Sequence, residues 1–90
     1  MIVVVLDKVN PTVEGKLSRW MMRIKPSVLV GDMSARVRDK VQKILCLEDV
    51  DGLWLEPAAT EQGFKIIPIG NPSRKVQEVD GLFLVANQKG

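Results

Sequence analysis

The sequence predicts an α+β sandwich, with two helices on one face of a mostly antiparallel sheet. Three observations carry that expectation. Short apolar segments of strand type recur at 1–6, 27–30, 53–56, 64–69 and 81–86. Two segments with helix-start residues, Asn10-Pro11 and Ser34, place apolar side chains at helical spacing. Clusters of Gly, Asp, Asn and Pro separate these segments. The order is β-α-β-α-β-β plus a terminal strand, over one domain at 1–86 with a frayed tail at 87–90.

The opening run, Met1-Ile-Val-Val-Val-Leu6, is continuously apolar and β-branched, the pattern of a strand buried on both faces. Asn10 is an N-cap, Pro11 suits the first helical position, and Glu14 complements the helix dipole. Val13, Leu17, Trp20, Met21 and Ile24 then fall on one helical face. Lys25-Pro26 ends that helix, because proline pushes the residue before it toward extended geometry. A strand follows at 27–30, and Gly31-Asp32 turns it. Ser34 caps a second helix reaching about Leu45, with Val37, Val41, Ile44 and Leu45 inward. An acidic turn at 48–52 precedes two strands, at 53–56 and 64–69, joined by a loop around Gly63. Pro57 and Pro68 point to sheet edges or bulges. Residues 70–75 read as a polar loop, and 81–86 as a last strand with no obvious slot in the sheet. One outlet for that strand is the edge of a second copy, giving a two-fold dimer of ferredoxin-like sandwiches.

Composition narrows the chemistry. The 90 residues include one cysteine, Cys46, and no histidine. A disulfide framework is excluded, and an intracellular, cytoplasmic location is the default expectation. The commonest general base and the usual zinc ligand are both missing. No run approaches the roughly 20 apolar residues that span a bilayer, so no membrane partner is expected. The net charge of +2 conceals an asymmetry. Residues 1–46 hold nine Lys/Arg against four Asp/Glu, whereas residues 47–90 hold four against seven. The basic half suits a polyanion.

Lys16, Arg19 and Arg23 recur at i, i+3, i+7 on the expected first helix, and Arg36, Lys40 and Lys43 recur similarly on the second. Two such stripes suit a duplex backbone, which binds by charge. A solvated helix face explains the same pattern. Asp7 ends the first strand, a common place for a site carboxylate. Two copies across a dimer axis could share Mg²⁺, which prefers oxygen ligands. An ordinary strand-ending polar residue is the simpler reading of Asp7. Asp32 is accounted for by the helix terminus, Trp20 and Trp54 by packing, and Cys46 lacks an acid-base partner.

Five segments, taken in order, resemble one family. They are Val3-Val-Val-Leu-Asp7, Gly15-Lys-Leu-Ser-Arg-Trp20, Val30-Gly-Asp-Met-Ser-Ala-Arg36, Thr60-Glu-Gln-Gly-Phe64 and Asp80-Gly-Leu-Phe-Leu84. Their order and spacing, from residue 1 to about 85, resemble the Cas-two family of CRISPR-associated adaptation proteins in its type I-E form. The resemblance implies a homodimer that bridges dimers of the CRISPR integrase subunit (the Cas-one family) and holds a duplex prespacer DNA for insertion into the CRISPR array. On that reading the chain is non-catalytic in integration. Lys16, Arg19, Arg23, Arg36, Lys40, Arg74 and Lys75 are its DNA-contacting candidates. Leu82, Phe83, Leu84 and Val85 are its partner-binding strand, packing on the dimer mate. The alternative is a magnesium-dependent endonuclease, acting on RNA or duplex DNA, with Asp7 as the catalytic and metal-binding residue. The chain departs from the type I-E pattern in its first helical turn, where Thr12 and Glu14 stand in place of arginines.

Overall fold

The computed structural model describes residues 1–79 and 82–87. Strand β1 (Ile2–Leu6) leads into helix α1 (Pro11–Leu17), then strands β2 (Met22–Lys25) and β3 (Val28–Gly31). Helix α2 (Ala35–Leu47) follows, then β4 (Gly52–Pro57), β5 (Phe64–Ile69), β6 (Arg74–Val79) and β7 (Leu82–Asn87). The first five strands form one sheet in the order β2-β3-β1-β4-β5, with β6 and β7 as a separate pair. Every neighbouring pair is antiparallel. This is the expected ferredoxin-like α+β arrangement, extended by β5 at one edge.

β1 sits at the centre, bonded to β3 on one side and β4 on the other. Its burial alternates: Ile2, Val4 and Leu6 are buried, whereas Val3 and Val5 are half-buried. The buried set meets the helices. Val13 and Leu17 of α1, Val41 and Leu45 of α2, Leu29 of β3 and Trp54 of β4 share one core cluster with it. Each such side chain stabilises the fold by about 1.5–3 kcal/mol through burial. Gly52 is required at the start of β4. A Cβ there would lie 2.3 Å from the Val5 carbonyl oxygen, so only glycine lets the strands approach this closely.

The caps fall where the sequence places them. Asn10 Oδ1 accepts from the Val13 N–H at 3.1 Å, and Ser34 Oγ accepts from the Val37 N–H at 3.3 Å. Helix α2 runs two residues past the expected end, to Leu47. β5, which holds Pro68, is one of the two edge strands of the five, and Pro57 is the last residue of β4. Both positions let proline go without a ladder donor.

The first helix is shorter than expected. It stops at Leu17, and residues 22–25 form β2. Met21 is buried, but Ile24, expected on the helical face, is 57% exposed. The reason lies in Glu14. Its side chain is buried, with Oε2 accepting from the Asn10 N–H at 3.0 Å and Oε1 3.0 Å from Arg23 Nε. Along a continuous helix, Glu14 and Arg23 would be about 13.5 Å apart, too far to pair. Folding residues 22–25 back as a strand brings the cation to the buried carboxylate. Lys25 is extended before Pro26, as the sequence requires, but as the end of a strand rather than of a helix. Ser27, at φ 68°, completes the tight turn into β3.

Two further differences concern the chain after β5. The loop read as 70–75 ends earlier, because Arg74 and Lys75 open β6 opposite Asn87 and Ala86. Residues 76–79, to which the sequence pattern assigns no element, continue that strand. The terminal strand therefore pairs with β6 of its own chain. β7 extends to Asn87, one residue into the expected tail; residues 88–90 lie outside the described residues.

Leu17→Ala should lower the unfolding free energy by about 2–5 kcal/mol in urea titration, since Leu17 is fully buried. Leu47→Ala, at a position 80% exposed, should stay within about 0.5 kcal/mol of the parent.

Candidate nucleic-acid interface and carboxylate rim

The basic residues separate into two groups. Those of the expected first stripe are largely engaged. Lys16 pairs with Glu48 across the two helices. Arg23, placed on β2 rather than on a helix, pairs with Glu14. Arg19 lies beyond the end of α1, its guanidinium 5.7 Å from the centre of the Trp20 ring. The expected stripe of Lys16, Arg19 and Arg23 is therefore not one helical face. Arg38, which charge periodicity does not single out, donates from Nη1 to the buried Glu56 Oε2 at 2.8 Å, tying α2 to β4.

The second stripe survives intact. Arg36, Lys40 and Lys43 are exposed on α2, and among the described residues none has an ion-pair partner. Their spacing of i, i+4, i+7 sets them along one side of a 13-residue helix. Opposite them, Val41 and Leu45 are buried in the core, so the stripe is held by a rigidly packed element. Three such cations on a fixed helix are able to attract phosphates by charge, without regard to sequence.

Asp7 stands where three connections meet. A cleft of about 310 Å³ is lined by Asp7, Lys8 and Asn10 after β1, and by Asp49 and Asp51 before β4. The carboxylates are already in use. Asp7 Oδ2 accepts from the Ser73 N–H at 2.7 Å, and Asp51 Oδ1 accepts from the Asn71 N–H at 2.8 Å. Among the described residues, no three His, Cys, Asp or Glu side chains converge as a metal set. Within one chain the rim does not form a cage for magnesium; the paired-Asp7 arrangement requires a second copy. Sequence pattern does not reveal Asp51 and Ser73 here, since nothing local marks a backbone N–H 66 residues from Asp7 as its partner.

The remaining candidates lie on the β6–β7 pair. Arg74 and Lys75 belong to β6, and Leu82, Phe83, Leu84 and Val85 to β7, facing Val79, Glu78, Gln77 and Val76. Val85 is exposed.

The sheet face away from the helices is a further candidate that the sequence motifs do not mark. Register places Val3 opposite Val30 and Leu55, Val5 opposite Val28 and Leu53, and Leu55 opposite Ile66. Residues directly opposite share a face, so this side is apolar across four strands. Val3, Val5, Val28, Val30 and Leu55 are only half-buried, and Met22, opposite Val30, is 69% exposed. The signal for it is the unbroken Ile-Val-Val-Val-Leu run, apolar at every position rather than at alternate ones.

One family comparison covers most of this chain. Residues 1–84 match the family model described as CRISPR-associated protein (Cas_Cas2CT1978). The chain belongs to this Cas-two-like family of CRISPR-associated proteins. The family match covers the sheet, both helices and all of β6, and ends within β7. No helix among the described residues is long and apolar enough to cross a membrane.

Arg23→Ala should destabilise the fold by about 1–3 kcal/mol, by leaving the buried Glu14 carboxylate without its cation. A double-mutant cycle with Glu14→Gln should recover part of that loss, because the neutral amide no longer needs the partner.

Proposed function

We propose that this CRISPR-associated protein works in spacer acquisition as a homodimeric platform. It holds duplex prespacer DNA and bridges dimers of the integrase subunit, while that subunit performs the strand transfer. The observation that carries the DNA-binding part is the Arg36, Lys40, Lys43 stripe, exposed and unpaired on a rigid helix. Repeated in a second copy, the stripe gives the dimer two such cationic helix faces.

The apolar sheet face supports the dimer. β1 is apolar on both sides, and the helices cover only one. A second copy stacked on the other side would bury Val3, Val5, Val30 and Leu55 in a sheet-on-sheet core, with sheets about 10 Å apart. The same stacking puts the helices, and with them the cations, on the two outer surfaces. β7 is bonded to β6 on one edge only among the described residues, which leaves a backbone edge for a partner strand. That edge, with Leu82, Phe83, Leu84 and Val85, is the proposed integrase contact. Asp7 has no catalytic task in this scheme, and magnesium belongs only to the alternative nuclease reading.

Two experiments test the platform. The triple substitution Arg36→Ala, Lys40→Ala, Lys43→Ala should weaken duplex binding by the complex with integrase and abolish integration. It should also flatten the salt dependence of binding by about 0.9 logarithmic units for each phosphate no longer neutralised, or about 3 for one helix face. Unchanged binding and slope would refute the stripe as the DNA surface, and metal-dependent cleavage by purified protein, abolished in Asp7→Asn, would establish the nuclease reading. Leu55→Asp should convert the protein to a monomer in analytical ultracentrifugation, because a carboxylate cannot be buried unpaired between two sheets.

A further inference from the structure

The platform reading leaves Asp7 without a chemical task, and its hydrogen bonds supply a different one. β5 ends at Ile69 and β6 begins at Arg74, so residues 70–73 alone connect the five-stranded sheet to the β6–β7 pair. Two backbone amides of this connection are held by carboxylates from elsewhere in the fold. The Asn71 N–H donates to Asp51 Oδ1 at 2.8 Å, and the Ser73 N–H donates to Asp7 Oδ2 at 2.7 Å. Pro72, between them, is buried and has no N–H to satisfy. The two aspartates are themselves coupled, since the Asp7 N–H donates to the Asp51 carbonyl oxygen at 2.9 Å. Gly70 enters this arrangement at φ +60°, where a Cβ would lie 2.4 Å from Asp51 Oδ1 and 2.6 Å from the Val50 carbonyl oxygen. The connection is thus seated against the aspartates at a spot where only glycine fits.

We infer that Asp7 and Asp51 form a clasp that fixes residues 70–73 and thereby sets where β6 and β7 sit against the sheet. Asp7 is then a positioning residue. What matters is its capacity to accept a hydrogen bond from Ser73, rather than its charge or any metal. The extension to integrase binding rests on the function proposed above, because it takes β7 as the contact strand.

The discriminating pair is Asp7→Ala, which removes the acceptor, and Asp7→Asn, which keeps an amide oxygen able to accept. Amide hydrogen exchange is measured on the full chain, with the urea midpoint as a check on folding. Asp7→Ala should speed exchange at Ser73 roughly tenfold, and Asp7→Asn should change it by less than about threefold. Gly70→Ala should speed exchange at Asn71 while the urea midpoint still shows a folded chain. Wild-type exchange at Ser73 in Asp7→Ala overturns the clasp, and so does Asp7→Asn losing protection as fully as Asp7→Ala. Capture of the integrase subunit should follow the same order, weakened in Asp7→Ala and retained in Asp7→Asn. Equal loss of capture in both, with Ser73 still protected in Asp7→Asn, overturns the positioning link. Failure of the wild-type protein to capture integrase refutes the proposed function alone, and the exchange data still judge the clasp.

Discussion

Everything in this fold is arranged around a strand that has no free side. β1 is hydrogen-bonded along both edges and carries apolar side chains on both faces. A five-residue segment with that character cannot lie at a surface. Covering one face requires the helices, and their caps and apolar stripes are matched to that task. Covering the other requires something the single chain's helices do not provide. The same sequence property therefore explains the interior of the monomer and motivates the association proposed for it. It also explains why Gly52 must lack a side chain, since the neighbouring strand has to reach the backbone of β1 closely on the β4 side.

Around that core, buried carboxylates decide details that apolar patterning leaves open. Glu14 and Glu56 are both buried, and each is matched by an arginine from another element. A carboxylate withdrawn from water without such a partner would cost several kcal/mol. Arg23 reaches Glu14 only if the chain turns back after α1, and Arg38 ties α2 to β4 over Glu56. Arg23, which a reading of surface charge assigns to nucleic acid, is in this structure an internal fastener. That reassignment concentrates the available positive charge on α2.

The parts of the structure legible in the sequence are those governed by local chemistry. The Asn10 and Ser34 caps, the buried β1 run, the 64–69 strand and the extended Lys25 before Pro26 all depend on neighbours a few residues away. The parts that were not legible depend on distant partners. Trp20, Met21 and Ile24 fit a helical period and a strand-containing path equally well, and the choice was made by Glu14 nine positions upstream of Arg23. β6 was hidden because Arg74-Lys-Val-Gln-Glu-Val79 is mostly polar and needs β7 to become a strand. Of the candidate site, the α2 stripe was visible as periodic charge. The Asp7 environment was not, because its partner is a main-chain amide supplied by tertiary structure.

The ion pairs among the described residues differ in how far they are exposed to water, and this has a consequence for handling the protein. The link between the Met1 amino group and Asp32 is open on both sides, at 64% and 82% exposure. Those at Glu14 and Glu56 have one member withdrawn from solvent. At about 0.15 M salt, charges in water are screened beyond about 8 Å, whereas partly buried pairs are screened much less. The cations of α2 face solvent, whereas the charges that hold the architecture together are sheltered. Ionic strength can therefore act on what the surface holds while sparing the frame beneath it. For the duplex proposed to lie on α2, a salt gradient is a means of unloading the protein without unfolding it.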